Sequence, residues 1–141
     1  MNEIIKFRAW ITKTNEMVGV FGIQFDDNSP LVNACIVDEH NDFHDLTDVV
    51  LMEYTGLTYV DAKYAYEGDL FRCDRDDVLY RIWKVKGGFA INTPCKRWQK
   101  DILLDYPFPA MPLADEQTAS WFESNCYYVG NIFENKELMA L

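Results

Sequence analysis

The chain has 141 residues, of which 49% are hydrophobic and 15% aromatic, and its formal net charge is −10. This length is typical of one domain with its own core, and the composition is far from that of a disordered chain. The negative charge disfavours nucleic-acid phosphates as partners, because duplex binding usually draws on a surface rich in Lys and Arg.

No apolar run reaches the roughly 20 residues that a membrane helix needs, and charged residues stand where a signal peptide would be apolar. We therefore expect a cytoplasmic protein without a membrane partner. The cysteines are too far apart in sequence for a zinc knuckle or a redox motif; they are Cys35, Cys73, Cys95 and Cys126. Free thiols and no bound cofactor are the expectation.

The first half of the chain alternates between apolar and polar residues, which predicts short strands. Two are expected over residues 4–11 and 17–25, and they should pair as a hairpin. Two more are expected over 31–37 and 48–54, the last ending at Thr55-Gly56. The acidic segment between these two, up to Asp48, is expected to be a loop or a single helical turn.

The second half of the chain continues the series of strands. Strands are expected over 64–73, 78–86 and 89–93, the last two joined by a tight turn at Gly87-Gly88. Prolines break up the segment 94–112, which should be an ordered loop or an arm.

The chain then changes character towards its C-terminus. Helical spacing of apolar residues predicts a short helix from about 113 to 123. A final strand over 126–133 should be interrupted at Gly130-Asn131, and Asn135 can cap a last short helix.

These elements predict a mainly β protein, that is, a β-rich α+β fold. We expect small antiparallel sheets or a partly open SH3-like barrel, with one or two short helices near the C-terminus. A single domain over 1–141 is the first expectation, and subdomains over 1–55 and 56–141 are the alternative.

Five short motifs occur in the order seen in the YopX family of phage and prophage proteins. They are Lys6-Phe7-Arg8-Ala9-Trp10, Glu53-Tyr54-Thr55-Gly56-Leu57, Tyr66-Glu67-Gly68-Asp69, Lys86-Gly87-Gly88-Phe89, and Gly130-Asn131-Ile132-Phe133-Glu134-Asn135. The chain thus resembles this family over nearly its whole length. The resemblance implies a β-rich fold and an origin in a phage or prophage within a bacterial host. It brings no catalytic residues.

The chain departs from the family pattern at three places. Ile11 follows the Trp of the first motif, where the family usually has an acidic residue. Asp61-Ala62 stands where the family usually has an Asn-Gly type of turn before the third motif. The proline-containing segment from Cys95 to Phe122 is longer than the family's common core.

The motif residues are interpreted as turn and structural residues. Carboxylates two residues apart around a glycine, as at Glu67 and Asp69, accept backbone N–H groups more often than they act as an acid and a base. The full set of predicted structural residues is Trp10, Tyr54, Gly56, Tyr66, Glu67, Gly68, Asp69, Gly130, Asn131, Glu134 and Asn135.

One pair of histidines could form a metal site. His40 and His44 are four residues apart with carboxylates between them, so on a helix they would share one face and could hold a metal. The stretch lacks apolar residues to shield a metal and lacks the His-Glu-x-x-His order. An exposed acidic loop is therefore the favoured interpretation, and no metal is expected.

No group of residues in the sequence supplies a nucleophile, a base and an orienting group. We expect a non-enzymatic phage or prophage accessory protein that contacts a host or phage protein through its acidic surface, with a homo-oligomer as a further option. The alternative is a nucleic-acid-binding module that uses the basic middle third and its aromatic residues, namely Tyr54, Tyr64, Tyr66, Tyr80, Trp83 and Phe89.

Overall fold

The computed structural model of the protein describes residues 6–24, 34–74, 78–92 and 111–140. The chain divides into two compact units, Met1–Glu53 (unit 1) and Tyr54–Leu141 (unit 2). Each unit has its own buried apolar cluster.

Unit 1 is an antiparallel sheet with the strand order β4-β3-β2-β1-β5. The strands are β1 (Phe7–Ile11), β2 (Glu16–Gln24), β3 (Cys35–Asp38), β4 (Phe43–Asp45) and β5 (Val49–Thr58), of which β5 contributes residues 49–53 to this unit. The predicted first hairpin is confirmed, because Ala9 of β1 lies opposite Val18 of β2.

The core of unit 1 lies on one face of this sheet. Ala9 faces Val18 on one neighbouring strand and Leu51 on the other, so all three side chains share that face. The buried members are Ala9, Ile11, Val18, Ile36 and Val49. Period-two alternation places these members on one face, but Trp10 of β1 is buried on the other face, so burial along β1 does not alternate.

Two predictions for unit 1 and its boundary were wrong. The acidic segment forms a hairpin, because Val37 of β3 pairs with Phe43 of β4, and a 3₁₀ turn Leu46–Asp48 follows. Strand β5 does not end at Thr55-Gly56 but runs to Thr58. Gly56 has φ of +89°, and pairing with the next strand shifts register there, so this glycine forms a bulge.

Unit 2 contains the remaining strands and one α-helix among the described residues. The second half of β5 pairs with β6, and a five-stranded antiparallel sheet has the order β10-β9-β8-β7-β11. These strands are β6 (Tyr64–Tyr66), β7 (Asp69–Cys73), β8 (Leu79–Val85), β9 (Gly88–Asn92), β10 (Met111–Pro112) and β11 (Cys126–Asn131).

The turns and helix of unit 2 follow local sequence signals. The predicted β8–β9 hairpin is confirmed, and Gly87 has the positive φ of +86° that its tight turn requires. The strand expected over 64–73 is divided by a turn at Glu67-Gly68. Helix α1 (Glu116–Asn125) begins later than predicted, because Asp115 accepts the Thr118 N–H as its N-cap.

The core of unit 2 is built largely of aromatic rings. Phe122 of α1 contacts Phe71 at 4.9 Å and Tyr59 at 5.0 Å between ring centroids, and Phe71 stacks on Tyr80 at 5.3 Å. Edge and offset contacts of this kind add to the free energy gained from burying the rings. They hold α1 on one face of the sheet.

The mainly β prediction is confirmed, with small antiparallel sheets and a short helix and a 3₁₀ segment (Lys136–Ala140) near the C-terminus. Over the described ranges the strands form no closed barrel. In the same ranges no helix has both the length and the hydrophobicity needed to cross a bilayer.

Candidate functional site

The third and fifth motifs meet at one corner of the unit 2 sheet. Asp69, at the start of β7, lies directly opposite Asn131, at the end of β11. Gly68 donates its N–H to Ile82 O at 2.9 Å and accepts the N–H of Ile132 at 3.0 Å. We call this group, centred on Asp69 and Asn131, the Asp69–Asn131 corner. Both central side chains are buried.

The carboxylate of Asp69 is fully buried, at 0% exposure. Its Oδ2 atom accepts the Tyr59 hydroxyl at 2.8 Å and the Tyr66 N–H at 3.0 Å. A carboxylate in the core is stable only when donors replace its lost water. These contacts link the turn at Glu67-Gly68 to a tyrosine from the preceding loop.

Asn131 organises the turn that follows β11. Its Oδ1 accepts the N–H groups of Phe133 (3.0 Å) and Glu134 (2.8 Å), and its Nδ2 donates to Glu134 Oε1 at 2.7 Å. Nδ2 also donates to the Tyr128 hydroxyl at 3.2 Å. One amide side chain therefore makes four hydrogen bonds, to three residues, which is the full capacity of Asn.

Asn135 and Gly130 complete this corner. The Asn135 side chain folds back, and its Oδ1 accepts the Asn131 N–H at 3.1 Å. A Cβ added at Gly130 would lie 2.6 Å from Asn135 Cγ, so the close approach leaves room only for glycine. The fifth motif is thus tied together by contacts among its own residues.

The remaining predicted structural residues lie elsewhere. Trp10 is buried in β1 between Met17 and Val50 on the neighbouring strands. Tyr54 pairs with Tyr66 across β5 and β6, with ring centroids 5.9 Å apart. Burial raises the pKa of Tyr54, and the charges of Tyr64 and Glu123 add to the rise.

The β3–β4 hairpin holds a second buried carboxylate. Asp38 is 2% exposed, and its Oδ1 accepts the N–H groups of His40 (2.8 Å) and Asp42 (3.0 Å). Its Oδ2 accepts His44 Nε2 at 2.8 Å. Burial acts to raise the pKa of Asp38, but these hydrogen bonds and the charge of His44 outweigh it, so the pKa lies below 3.8.

The helical arrangement that would have placed His40 and His44 on one face is wrong, because this segment is a hairpin. His44 is on β4 and contacts Asp38, whereas His40 is in the exposed turn. Over the described residues, no group of three or more His, Cys, Asp or Glu is arranged to hold a metal.

The aromatic residues of the middle third do not form one platform. Tyr80 and Phe89 pack against the unit 2 core. Tyr54, Tyr64 and Tyr66 form a separate ring cluster, with Tyr54 and Tyr64 5.0 Å apart. Several basic residues of this third lie outside the described residues, as does most of the segment 94–112; they are Arg75, Lys96, Arg97 and Lys100.

Two exposed phenylalanines in unit 1 were missed by the sequence analysis. Phe21 is 73% exposed and Phe43 is 62% exposed. Phe43 had no assigned face, because its segment was expected to be a loop. The signal that could have identified Phe21 is its position in the Gly-Val-Phe-Gly-Ile stretch, where alternation turns it away from Val18 and Val20.

Comparison with known proteins gives a family and a fold. The family described as YopX protein matches residues 6–140. The crystal structure of protein EF1440 from Enterococcus faecalis superimposes with a TM-score of 0.63 at 22% sequence identity, covering 98% of this chain and 99% of that chain. No curated protein matches the sequence. Because the family match extends over nearly the whole chain, the protein belongs to the YopX family.

Proposed function

We propose that this protein is a non-enzymatic accessory protein of a phage or prophage that binds a host or phage protein in the bacterial cytoplasm. The observation that carries the proposal is the exposure of Phe21 and Phe43 on unit 1. Isolated apolar residues are common on surfaces. Two phenylalanines that are each more than half exposed, on the two strands beside β3, favour a binding surface.

The two phenylalanines flank strand β3. Gly22 lies opposite Val37, and Val37 lies opposite Phe43, so one cross-strand row joins β2, β3 and β4. Phe21 immediately precedes this row, at the point where the β2–β3 register shifts. A Cβ added at Gly22 would meet nothing within 4 Å, so the surface is open at this position.

Exposed carboxylates surround the same end of the sheet. The β3–β4 turn and the strand after it carry Glu39, Asp42 and Asp45, all of them exposed. A partner that fits this surface would present an apolar patch with Lys or Arg at its rim. The acidic rim would then speed association and reject acidic competitors, while the rings would supply most of the affinity.

The contribution of the two phenylalanine rings to the binding free energy can be estimated. Fully burying one phenylalanine contributes roughly 1.5–3 kcal/mol. Loss of both rings would therefore weaken binding by roughly 100-fold or more, since 1.4 kcal/mol corresponds to tenfold in affinity.

The test is affinity capture followed by a purified binding measurement. Immobilised protein is incubated with nuclease-treated bacterial lysate, the enriched protein is purified, and its affinity is measured by calorimetry. Phe21→Ser/Phe43→Ser should lose binding, whereas Val60→Ser/Tyr127→Ser, which removes exposed apolar residues of unit 2, should retain it.

Three results would contradict the proposal. Equal loss of affinity in both double variants would place the contact elsewhere. Capture that occurs from untreated lysate but not from nuclease-treated lysate, together with salt-sensitive DNA binding by the purified protein, would favour the nucleic-acid alternative. Self-association that depends on the two phenylalanines, seen by light scattering, would make a second copy the partner.

A further inference from the structure

A polar cluster lies on the face of the unit 2 sheet away from Ile82 and Phe71. Arg81 of β8 lies directly opposite Asn92 of β9, and Trp83 is two residues further along β8. Residues opposite each other or two apart share a face, so the three side chains are neighbours. We call Arg81, Trp83 and Asn92 the Arg81 cluster.

The contacts within the Arg81 cluster are short. The guanidinium carbon of Arg81 lies 3.4 Å from the centroid of the Trp83 ring, which is a stacked cation–π contact. The Trp83 Nε1–H donates to Asn92 Oδ1 at 2.6 Å. An indole N–H can only donate, so this bond fixes which end of the Asn92 amide is oxygen.

The fixed amide leaves a buried donor without an acceptor. Asn92 is 6% exposed, and within the described part of the chain its Nδ2 reaches no acceptor. The same is true of the Nε of Arg81 on the opposite strand. Buried donors without partners destabilise a fold, so two of them on facing residues suggest an acceptor supplied from outside the chain.

The electrostatics of the cluster also suit an added negative charge. Burial lowers the pKa of Arg81 to about 10, and the nearby charge of Glu67 opposes this shift only in part. The guanidinium is therefore short of compensating charge. Because Glu67 is already close, a second full carboxylate charge fits better than a doubly charged phosphate.

We propose that Arg81 and Asn92 bind the carboxylate of a small organic acid. One carboxylate oxygen accepts Arg81 Nε–H, the other accepts Asn92 Nδ2–H, and the Trp83 ring holds the guanidinium in place. The site lies in unit 2, its residues differ from the Phe21 and Phe43 surface, and the proposal does not depend on the proposed function.

The first test follows the cluster by ¹⁵N–¹H NMR of the full chain. Sodium acetate is titrated in, with sodium chloride at the same ionic strength as the reference. The Trp83 indole N–H and the Asn92 side-chain NH₂ should shift and saturate with acetate. Acetamide, a neutral acceptor, and inorganic phosphate should give much weaker shifts. Absence of a saturable acetate response, or a stronger response to phosphate, would overturn the proposal.

Asn92→Asp is the most informative variant. It keeps the oxygen that accepts the Trp83 N–H and replaces the donor with a carboxylate oxygen beside Arg81, so it imitates the bound ligand within the chain. We expect a melting temperature above that of wild type and no response to acetate. A variant that is less stable than wild type, or one that still binds acetate, would contradict the site.

Arg81→Met and Arg72→Met form the matched pair of arginine variants. Arg72 is exposed on β7 and should leave acetate affinity unchanged. Arg81→Met should reduce the affinity about tenfold or more, the loss expected for a charge-assisted hydrogen bond. Equal affinities in the two variants would show that the shifts come from non-specific salt effects.

Discussion

The protein contains two buried carboxylates that organise turns, one in each unit, and they are satisfied in different ways. Asp38 accepts hydrogen bonds from the hairpin that it opens, with His40, Asp42 and His44 as the donors. Asp69 accepts from the Tyr59 hydroxyl and the Tyr66 N–H, and it lies opposite Asn131 from the far end of the chain.

The Asp38 hairpin is therefore local in sequence, whereas the Asp69–Asn131 corner joins distant parts of the chain. The β3–β4 hairpin can form its bonds as soon as six or seven residues close, because loop closure over so short a span costs little entropy. The donors Tyr59 and Tyr66 lie within the ten residues before Asp69, but the Asp69–Asn131 corner is complete only when β7 pairs with β11. We therefore expect substitutions at the corner to destabilise the fold more than substitutions in the hairpin.

The largest effect is expected from Asp69→Ala. It removes the carboxylate oxygen that accepts the Tyr59 hydroxyl and the Tyr66 N–H and leaves a cavity in the core, so the free energy of unfolding should fall by about 3 kcal/mol. Urea denaturation followed by circular dichroism measures this. Tyr59→Phe, which keeps the ring in the core, should cost only about 1 kcal/mol. An equal cost for the two variants would mean that Asp69 acts through Tyr59 alone.

The next effect tests the other half of the corner. Gly130→Ala drives a methyl group against Asn135, which is held by its bond to the Asn131 N–H, and should cost about 2 kcal/mol. Gly22→Ala is the matched control, because a Cβ there meets nothing within 4 Å. If both variants lose the same stability, backbone propensity rather than the close approach of Asn135 is responsible.

The hairpin should respond to pH in a defined direction. The pKa of Asp38 is below 3.8 in the folded protein, so the unfolded state binds more protons and stability falls as the pH is lowered. The contribution of Asp38 is complete above about pH 3.8 and is lost as the pH drops through the folded pKa.

Asp38→Asn measures this contribution. The variant should be less stable than wild type at neutral pH by about 1 kcal/mol, the typical worth of one hydrogen bond. The difference between the two should narrow below pH 3.8. Thermal unfolding of both proteins from pH 2.5 to pH 7 measures the difference in stability. If this difference widens in acid, the pKa of Asp38 is not lowered in the folded protein.

The smallest effect is expected at two turn residues with positive φ, one inside the Asp38 hairpin and one in the loop between Tyr59 and Tyr66, which both donate to Asp69. Asn41 in the hairpin and Ala62 in the loop after Tyr59 have positive φ, +66° and +69°. Asn tolerates this conformation, whereas Ala is strained in it. Ala62→Gly should therefore stabilise the protein by about 0.5 kcal/mol, while Asn41→Gly should change little. If the two variants change the melting temperature equally in differential scanning calorimetry, Ala62 is no more strained than Asn41.

At Ala62 the sequence showed an unusual turn residue but not the backbone conformation that it adopts. The departure from the family's Asn-Gly turn at Asp61-Ala62 was visible in the sequence. The structure retains a left-handed residue there, with Ala62 donating its N–H to Tyr59 O at 2.9 Å. Sequence alone could not tell whether the turn was lost or kept under strain, because that depends on what the loop positions.

Most of the strands were predictable, but two were not: β4, and the short β10 (Met111–Pro112), which pairs with β9 at the end of the segment that was expected to be a loop or an arm. The Gly87-Gly88 hairpin and the pairing of β1 with β2 followed from turn residues and alternation. Strand β4 was missed because its sequence, Phe43-His44-Asp45, has no apolar partner pattern of its own. It forms because Asp38 satisfies the turn and β3 supplies the hydrogen-bonding edge.

The candidate sites were likewise predictable only in part. Both halves of the Asp69–Asn131 corner were recognised as motifs, but their meeting was not predicted. The Arg81 cluster carried no sequence signal, because Arg81 and Asn92 become neighbours only through the β8–β9 register. Exposure of Phe21 and Phe43 likewise depends on which face of the sheet is covered.

The sequence by itself determined that this chain forms hairpins of short strands, where the turns after β1 and β8 fall, and that it resembles the YopX family. Those properties depend on alternation and turn chemistry within a few residues. Only the tertiary structure decided that Asp69 faces Asn131, that Arg81 faces Asn92, and that two phenylalanines stay exposed. Strand register and side-chain burial depend on packing between distant segments, and no local pattern specifies them.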